Sequence, residues 1–469
     1  MSRIVIERIV IENQSPLAIH SGGRELGFDT QIAKDWNSLP YIPATSFVGV
    51  WRSVLKSMNL DIDESRWFGS ARGNGKASRI HVSDGLLLNS HYRISYGIMS
   101  LKARESDAIY EKFQNEKSAV RERCRINYRG ASKHEGKFDE SIIPSGMRFV
   151  FDIRTEIDSD QEYKEFRGML RGLASRGFSL GSGVTNGHGD MKIVGLAEFN
   201  RDMSAITDYA AFSGEMRKFL SEENIPRKAD DIFSSDIGDA ESWKKLAELH
   251  LKADDSWRIG NIFKDKMSKS YAEEYVSWRN GGCDFKERVV ICGSSIKGII
   301  AHRTDYHYRK LKMERESDKS YAAESVLPND FRNCDISAPL KELFGTADGN
   351  DGAKAGLIVV DDAVVENAGQ TIKRTHNRID VFSRGVFSGA LFSEERIYRP
   401  EFSLRLWLKG DFNKRISDRL VLEALYRTIT DIKEGFLPLS TGNGRQAGTL
   451  SLKEDGKSMF DCGLLGMGE

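Results

Sequence analysis

Two glycine-rich segments and two hydroxyl-bearing turns are the parts of this sequence whose residue types suit phosphate contact. Gly177-Phe-Ser-Leu-Gly181-Ser-Gly183-Val-Thr-Asn-Gly187-His-Gly189 carries five glycines in thirteen positions, and Gly435 to Gly448, with Gly442, Gly444 and Arg445, carries four in fourteen. Glycine admits positive φ and close approach, so successive backbone N–H groups can meet phosphate oxygens. Neither spacing is that of a Walker A loop or of a dinucleotide fingerprint after a strand. Taken singly, each reads as a loop. The turns are Tyr41-Ile-Pro-Ala-Thr45-Ser46-Phe-Val-Gly-Val-Trp-Arg52 and Val290-Ile-Cys-Gly-Ser294-Ser295-Ile-Lys297-Gly-Ile-Ile-Ala-His-Arg303. Each reads as a short apolar strand, a small-residue turn, then a helix. The hydroxyls of Thr45, Ser46, Ser294 and Ser295 suit helix N-caps, and a helix N-terminus attracts anions, with Arg52, Lys297 and Arg303 on the same helices. The alternative is that the hydroxyls only cap and the cations face solvent.

These segments must be positioned by elements, and the elements come in two copies. After the first turn come Trp67-Phe68-Gly69 and Ser78 to Gly85, with Asp84 in it; after the second come Leu343-Phe344-Gly345 and Ala355 to Ala363, with Asp362 in it. Arg125-Ile-Asn127 with Phe138-Asp-Glu140 returns as Arg378-Ile-Asp380 with Phe392-Ser-Glu394, and the glycine segments close both series. Four landmarks in the same order make two homologous units, and two glycine loops at one place in the repeat favour a phosphate-backbone contact.

The expected fold class is α+β. Alternating segments Met147 to Ile153 and Phe402 to Leu408 read as strands, each followed by a helix, Tyr163 to Arg176 and Ile416 to Lys433. Strand–helix–strand twice over is the ferredoxin-like, RRM-like plan. The first unit is expected over 1–200, a polar, acidic, helical connector over 201–242, and the second unit over 243–469, with Ser458 to Glu469 a short tail. Connections 98–118, 253–287 and 309–335 read as long charged insertions.

Lys+Arg and Asp+Glu both number 69, so bulk charge does not draw this chain to nucleic acid, although local basic grooves remain open to it. Five cysteines without metal-ligand spacing point to a reducing compartment, with neither a disulfide framework nor zinc. No apolar run approaches a membrane span, and the expectation is a soluble, cytoplasmic protein.

Ile42 to Arg52 and Ile291 to Arg303 resemble the IPGSSLKGxLR signature of the RAMP superfamily, and more closely the backbone subunits of type III CRISPR effector complexes. The Phe-Gly…Asp elements, the Arg-Ile-Asn/Asp elements and the glycine loops belong to the same pattern. The resemblance implies two fused RAMP units that hold guide RNA, beside neighbouring backbone subunits, with a protruding β-hairpin thumb in each. By position the thumbs fall at Arg125–Gly146 and Arg378–Tyr398. Thr45, Ser46, Arg52, Arg125, Gly181, Gly183 and Gly187 are the implied RNA contacts of the first unit. Ser294, Ser295, Lys297, Arg303, Arg378, Gly442, Gly444 and Arg445 are those of the second.

The resemblance also implies cleavage of target RNA, with Mg²⁺ or another divalent cation, beside a flipped nucleotide. Asp29 falls at the family's catalytic position, as the possible metal ligand, with His20 and Lys34 in support. On residues alone Asp29 reads as an Asx turn and His20 as a structural histidine. In the second copy Glu274 or Asp265 takes the corresponding place. Two rivals share the pattern: a scaffold without catalysis, and a metal-independent endoribonuclease that processes guide precursors with a histidine base.

Overall fold

The computed structural model describes residues 2–21, 30–58, 62–70, 75–114, 119–127, 132–174, 178–229, 243–260, 262–264, 267–279, 282–315, 336–346, 354–440 and 448–468. Two α+β units follow one plan. In the first, strands Gly85–Leu87, Arg148–Ile157, Arg3–Asn13 and Met191–Asp202 lie side by side in that order, all antiparallel. In the second, Ala363–Glu366, Glu401–Lys409, Trp243–Ala253 and Leu450–Leu452 do the same. Helices Ala44–Ser57 and Asp160–Arg171 pack on the first sheet, and Gly293–Arg315 and Leu420–Lys433 on the second. Strand, helix, two strands, helix, strand is the ferredoxin-like plan the sequence led us to expect.

The opening strand forms because its β-branched residues fit a pleated surface buried on both faces. Val5, Ile9 and Ile11 join the core beneath the helices, while Ile4, Ile6 and Val10 pack on the opposite face. The helix side is filled by aromatics: Phe47 lies 4.4 Å from Phe151 and 5.4 Å from Phe178, between ring centroids. Each such side chain contributes roughly 1.5–3 kcal/mol on burial.

Arg8 on the same strand is buried without being apolar. It pairs with Asp152 at 2.8 Å and donates to the carbonyls of Ser221 (2.7 Å), Leu220 (3.1 Å) and Phe219 (3.2 Å). These carbonyls end helix Tyr209–Phe219, so the cation meets the negative pole of that helix and fastens the segment to the outer face of the first sheet. The outer face of the second sheet instead carries Lys245, Glu248 and Arg405 in partly exposed ion pairs.

Both thumb hairpins begin earlier than their motifs suggested. The first is Val120–Ile126 with Ser132–Ser141, and the second is Thr371–His376 with Phe392–Tyr398. Charged and polar residues dominate their first strands, which hid the strand period from a hydrophobicity pattern. Residues 253–287 are likewise not one loop. They hold several strands, of which Ala272–Arg279 pairs with Gly282–Ile291 in a hairpin. Val276 of that hairpin belongs to the first unit's core, with Trp278, Cys283 and Phe285 packed against it. The expected tail also corrects: Met459–Phe460 pairs with the central strand Trp243–Ala253, and Leu465 is buried. Connection 98–118 contains helices Leu101–Glu105 and Ala108–Gln114, and helix Gly293–Arg315 runs into the segment expected to be an insertion from 309.

Candidate nucleic-acid interface

Each hydroxyl-bearing turn leads into a helix as expected, but the hydroxyls are not the caps. Pro43 holds the cap position of the first helix and offers no side-chain bond. The Ala44 N–H is instead taken by Asp84 Oδ1 at 2.8 Å, and the Gly293 N–H by Asp362 Oδ1 at 2.7 Å. A carboxylate returning from the second strand of each unit thus neutralises the positive end of each helix. Thr45 and Ser46 are left exposed in the first turn, as is Ser295, while Ser294 is half-buried. Arg52 pairs with Glu64 at 2.7 Å and Arg303 with Asp431 at 2.6 Å, so both expected phosphate contacts already hold a carboxylate.

The two units meet at a polar cluster. Arg121, on the first thumb, is 2 % exposed. It donates to Asp362 at 2.6 and 3.2 Å and to both oxygens of Glu273 at 2.9–3.2 Å. Its Nη1 also meets His188 Nε2 at 2.9 Å, and Arg123 Nη2 reaches the same nitrogen at 3.0 Å. Two guanidinium donors on one ring nitrogen assign Nε2 as the acceptor and leave the proton on Nδ1. Burial first, then Arg121 and Arg123, hold His188 down to about 2, so the imidazole is neutral. Arg123 pairs with Glu140 at 2.5 Å.

The first glycine loop packs against this joint. Gly187 has φ +88°, and a Cβ there would lie 2.8 Å from the Asp362 N and 2.9 Å from the Val360 O. A Cβ on Gly293 would lie 2.7 Å from the Asn186 O. Gly187 therefore serves the contact between units as its first role. Gly181 and Gly183 are also in left-handed conformations on the first-unit side. Gly442, Gly444 and Arg445 lie outside the described residues.

Lys297 sits in the first turn and a half of the second unit's helix, 7 % exposed, without a hydrogen-bond partner among the described residues. Burial first and Arg123 second bring its ammonium down to about 7. Cys292, just ahead of the helix, is pushed up to about 12 by burial and is an unreactive thiol. A buried lysine beside the Arg123 guanidinium is an electrostatic setting that an anion would complete.

Asp29 falls in 22–29, outside the described residues, but the segments flanking it are placed. His20 bridges Ile32, the Ser21 N–H donates to the Gln31 carbonyl at 3.1 Å, and Thr30 bridges Glu140 at the thumb base. His20 Nε2 lies 3.9 Å from Glu140, and its Nδ1 lies 3.4 Å from Ser182 Oγ of the glycine loop. Its pKa is lowered, chiefly by burial. Lys34 bridges Pro40 through the backbone. His20, the thumb base and the glycine loop therefore converge, while Lys34 is placed only by its bridge to Pro40. In the second unit the candidates do not: Glu274 lies on a strand and pairs with Lys112 of the first unit at 2.8 Å, and Asp265 is outside the described residues. Arg125 and Arg378 are exposed on the two thumbs, the latter with its guanidinium 4.9 Å from the Phe387 ring centre.

Against models of protein families, residues 10–192 and 280–450 each match the RAMP superfamily. The chain belongs to the RAMP superfamily. The matches cover more than half of it and fall one on each unit, as a two-copy RAMP fusion requires. No curated protein matches this chain. Sequence reasoning overlooked the joint residues of this RAMP chain, Arg121, His188 and Glu273. Strand alternation could have flagged Arg121 and Glu273, but charged strands give little of it, and His188 lies in the first glycine loop. Among the described residues no helix is long and apolar enough to cross a membrane, and no group of three or more His, Cys, Asp or Glu is placed to hold a metal ion.

Proposed function

We propose that this chain is a guide-RNA-binding backbone subunit of a type III CRISPR effector complex, cytoplasmic, that also cleaves the complementary target RNA. RAMP membership supports a CRISPR-associated RNA-binding role. The observation that carries the finer reading is the anchoring of the Asp29 segment: Thr30, its covalent neighbour, bridges Glu140 at the base of the first thumb. A thumb that displaces one nucleotide leaves that nucleotide's 2′-OH free to line up with the adjacent phosphate.

The chemistry asks little of the protein beyond positioning. Asp29 would hold Mg²⁺ together with RNA phosphate oxygens, an arrangement that suits a cation served by one or two carboxylates and water. The metal would supply charge neutralisation at the scissile phosphate. Glu140, already paired with Arg123, would be only a weak second ligand. Thr45, Ser46, Arg125 and Lys297 would bind the guide backbone, while base pairing reads sequence. In the second unit the scaffold role without catalysis is favoured, since Glu274 is committed to Lys112.

The test follows labelled RNA complementary to the bound guide through the assembled complex with Mg²⁺. Asp29→Ala should lower one cleavage by about 10²- to 10⁴-fold while target binding persists. Unchanged cleavage would make the first unit a scaffold and move the search to residues 253–287 of the second. Cleavage that survives EDTA would transfer the reading to the processing endoribonuclease.

A further inference from the structure

The two units share a set of backbone bonds around the thumb base, and these bonds fix which residue of one unit stands where in the other. Leu17 bridges Ile143, as Trp257 pairs with Ile397. The Ala33 N–H donates to the Ile19 carbonyl at 2.7 Å, and the Tyr271 N–H to the Ile259 carbonyl at 3.1 Å. The Ala33 carbonyl then accepts from the Tyr41 N–H, and the Tyr271 carbonyl from the Val290 N–H, at the start of the two hydroxyl-bearing turns. Thr30 meets Glu140 in a parallel bridge, and Ser268 meets Glu394 in parallel pairing. Glu140 and Glu394 are themselves equivalent, lying opposite Arg121 and Arg374 in the two thumb ladders.

These anchors assign the second site one residue at a time. Met267, which precedes Ser268, takes the place of Asp29, which precedes Thr30. Gly260 follows Ile259 and takes the place of His20, and Ala272 follows Tyr271 and takes the place of Lys34. A carboxylate suits Mg²⁺, whereas a thioether is a soft ligand that does not. Glycine and alanine bring no charge to a scissile phosphate. Glu274 stands two positions beyond the Lys34 place, on a strand that turns it to Lys112.

The carboxylate at the thumb base has changed its company as well. In the first unit the positions after Leu17 and two after Glu140 are Ala18 and Ile142, both buried, and Arg123 pairs with Glu140 at 2.5 Å. The corresponding residues of the second unit are Arg258 and Arg396, 4 % and 3 % exposed. Both hold Glu394, Arg258 at 3.3 Å and Arg396 through Nε at 2.7 Å, and His376 Nε2 reaches it at 2.9 Å. A carboxylate engaged by two guanidiniums and an imidazole has little left to offer a metal ion.

We infer that the second unit holds RNA without a metal ion and without cutting it, so that this chain cuts target RNA once. The inference rests on the proposed function of Asp29, and what it adds is the identity of the residues that stand at the second site: Met267 for the carboxylate, Gly260 and Ala272 for its neighbours. The duplication therefore gave two holding units and one cleaving position.

The test uses the assembled complex with its guide. A complementary 2′-fluoro RNA cannot be cut through its 2′ position, so bound Mn²⁺ is counted on it by electron paramagnetic resonance, and an all-ribose target reports the cuts in parallel. Asp29→Ala should lose one bound Mn²⁺ and one cut, whereas Met267→Ala, Asp265→Ala and Glu274→Ala should lose neither. Met267→Asp together with Arg258→Ala copies the first unit at both positions, and should add one bound Mn²⁺ and one new product at a melting temperature near that of wild type. A cut or a Mn²⁺ lost with Asp265→Ala or Glu274→Ala overturns the inference, as does a folded double variant that adds no Mn²⁺. Asp29→Ala that changes neither readout counts against the proposed function alone, because the variants of the second unit still report on the second site.

Discussion

The guanidinium of Arg121 and the carboxylate of Asp362 lie in register, with Nη2 2.6 Å from Oδ2 and Nη1 3.2 Å from Oδ1. They come from different RAMP units and from segments 241 residues apart. Asp362 is at the same time the cap of the second unit's helix. One carboxylate therefore ties a helix terminus, a thumb and the interface between units together. A change at any of the three should be felt at the other two.

Arg121→Met should uncouple the units. The substitution leaves Glu273 and Asp362 buried without their cation, and breaking a buried pair from one side costs about 3–5 kcal/mol. Denaturant unfolding with limited proteolysis should show a less stable chain with a newly cleavable junction. The deficit should shrink as pH falls, because the two stranded carboxylates can then take up protons. A wild-type unfolding curve would remove Arg121 from the joint.

Gly187→Ala should act at the same place without any change of charge. At φ +88° an alanine is strained, and its Cβ would press on the Asp362 N at 2.8 Å and the Val360 O at 2.9 Å. Strain of this kind costs about 1–3 kcal/mol. Thermal melts should register the loss even without RNA. If stability holds and only RNA affinity falls, the loop is a phosphate cradle first and a joint second.

Lys297 gives stability a pH dependence of definite sign. Burial brings its pKa from 10.5 down to about 7 in the folded chain. Between those values the unfolded chain holds a proton that the folded chain lacks, so stability rises with pH across the window and falls on acidification toward 7. The slope reaches at most about 1.4 kcal/mol per pH unit. Lys297→Met should flatten it and stabilise the chain at neutral pH. It should also weaken RNA binding, since a phosphate at this site would draw the proton back. Calorimetry near pH 8 in buffers of different ionisation enthalpy should detect proton uptake on RNA binding in the wild type and less in the variant.

Arg8→Met should free the segment after the first unit's last strand. Four bonds from the guanidinium, to the carbonyls of Phe219, Leu220, Ser221 and Asn224, hold the end of helix Tyr209–Phe219. Their loss also leaves Asp152 without its cation. Hydrogen exchange should accelerate across 209–227 while the core strands stay protected. Uniform acceleration would instead mean that Arg8 supports the whole sheet.

The duplicated plan was legible because duplication leaves marks that do not depend on packing. Turn glycines, the Phe-Gly pairs and the apolar starts of both helices are local requirements, and each copy must satisfy them separately. The capping of those helices was not legible in the same way. Thr45 and Ser46 are favoured cap residues by type, yet Asp84, forty positions on in sequence, reaches the Ala44 N–H first. Propensity describes a residue's options, and a carboxylate delivered by another strand decides among them.

By itself the sequence determined the two repeated units and their ferredoxin-like order, which follow from local spacing and repetition, while the thumbs came from the family resemblance and begin earlier than it implied. Only the tertiary structure decided what those parts face. It buried Lys297 and Gly187 in the joint, paired Arg52 and Arg303 with carboxylates, and set Arg121 between Glu273 and Asp362. The physical reason is that a charged side chain is placed by which distant partner can offset its desolvation, and that partner is fixed by the fold as a whole.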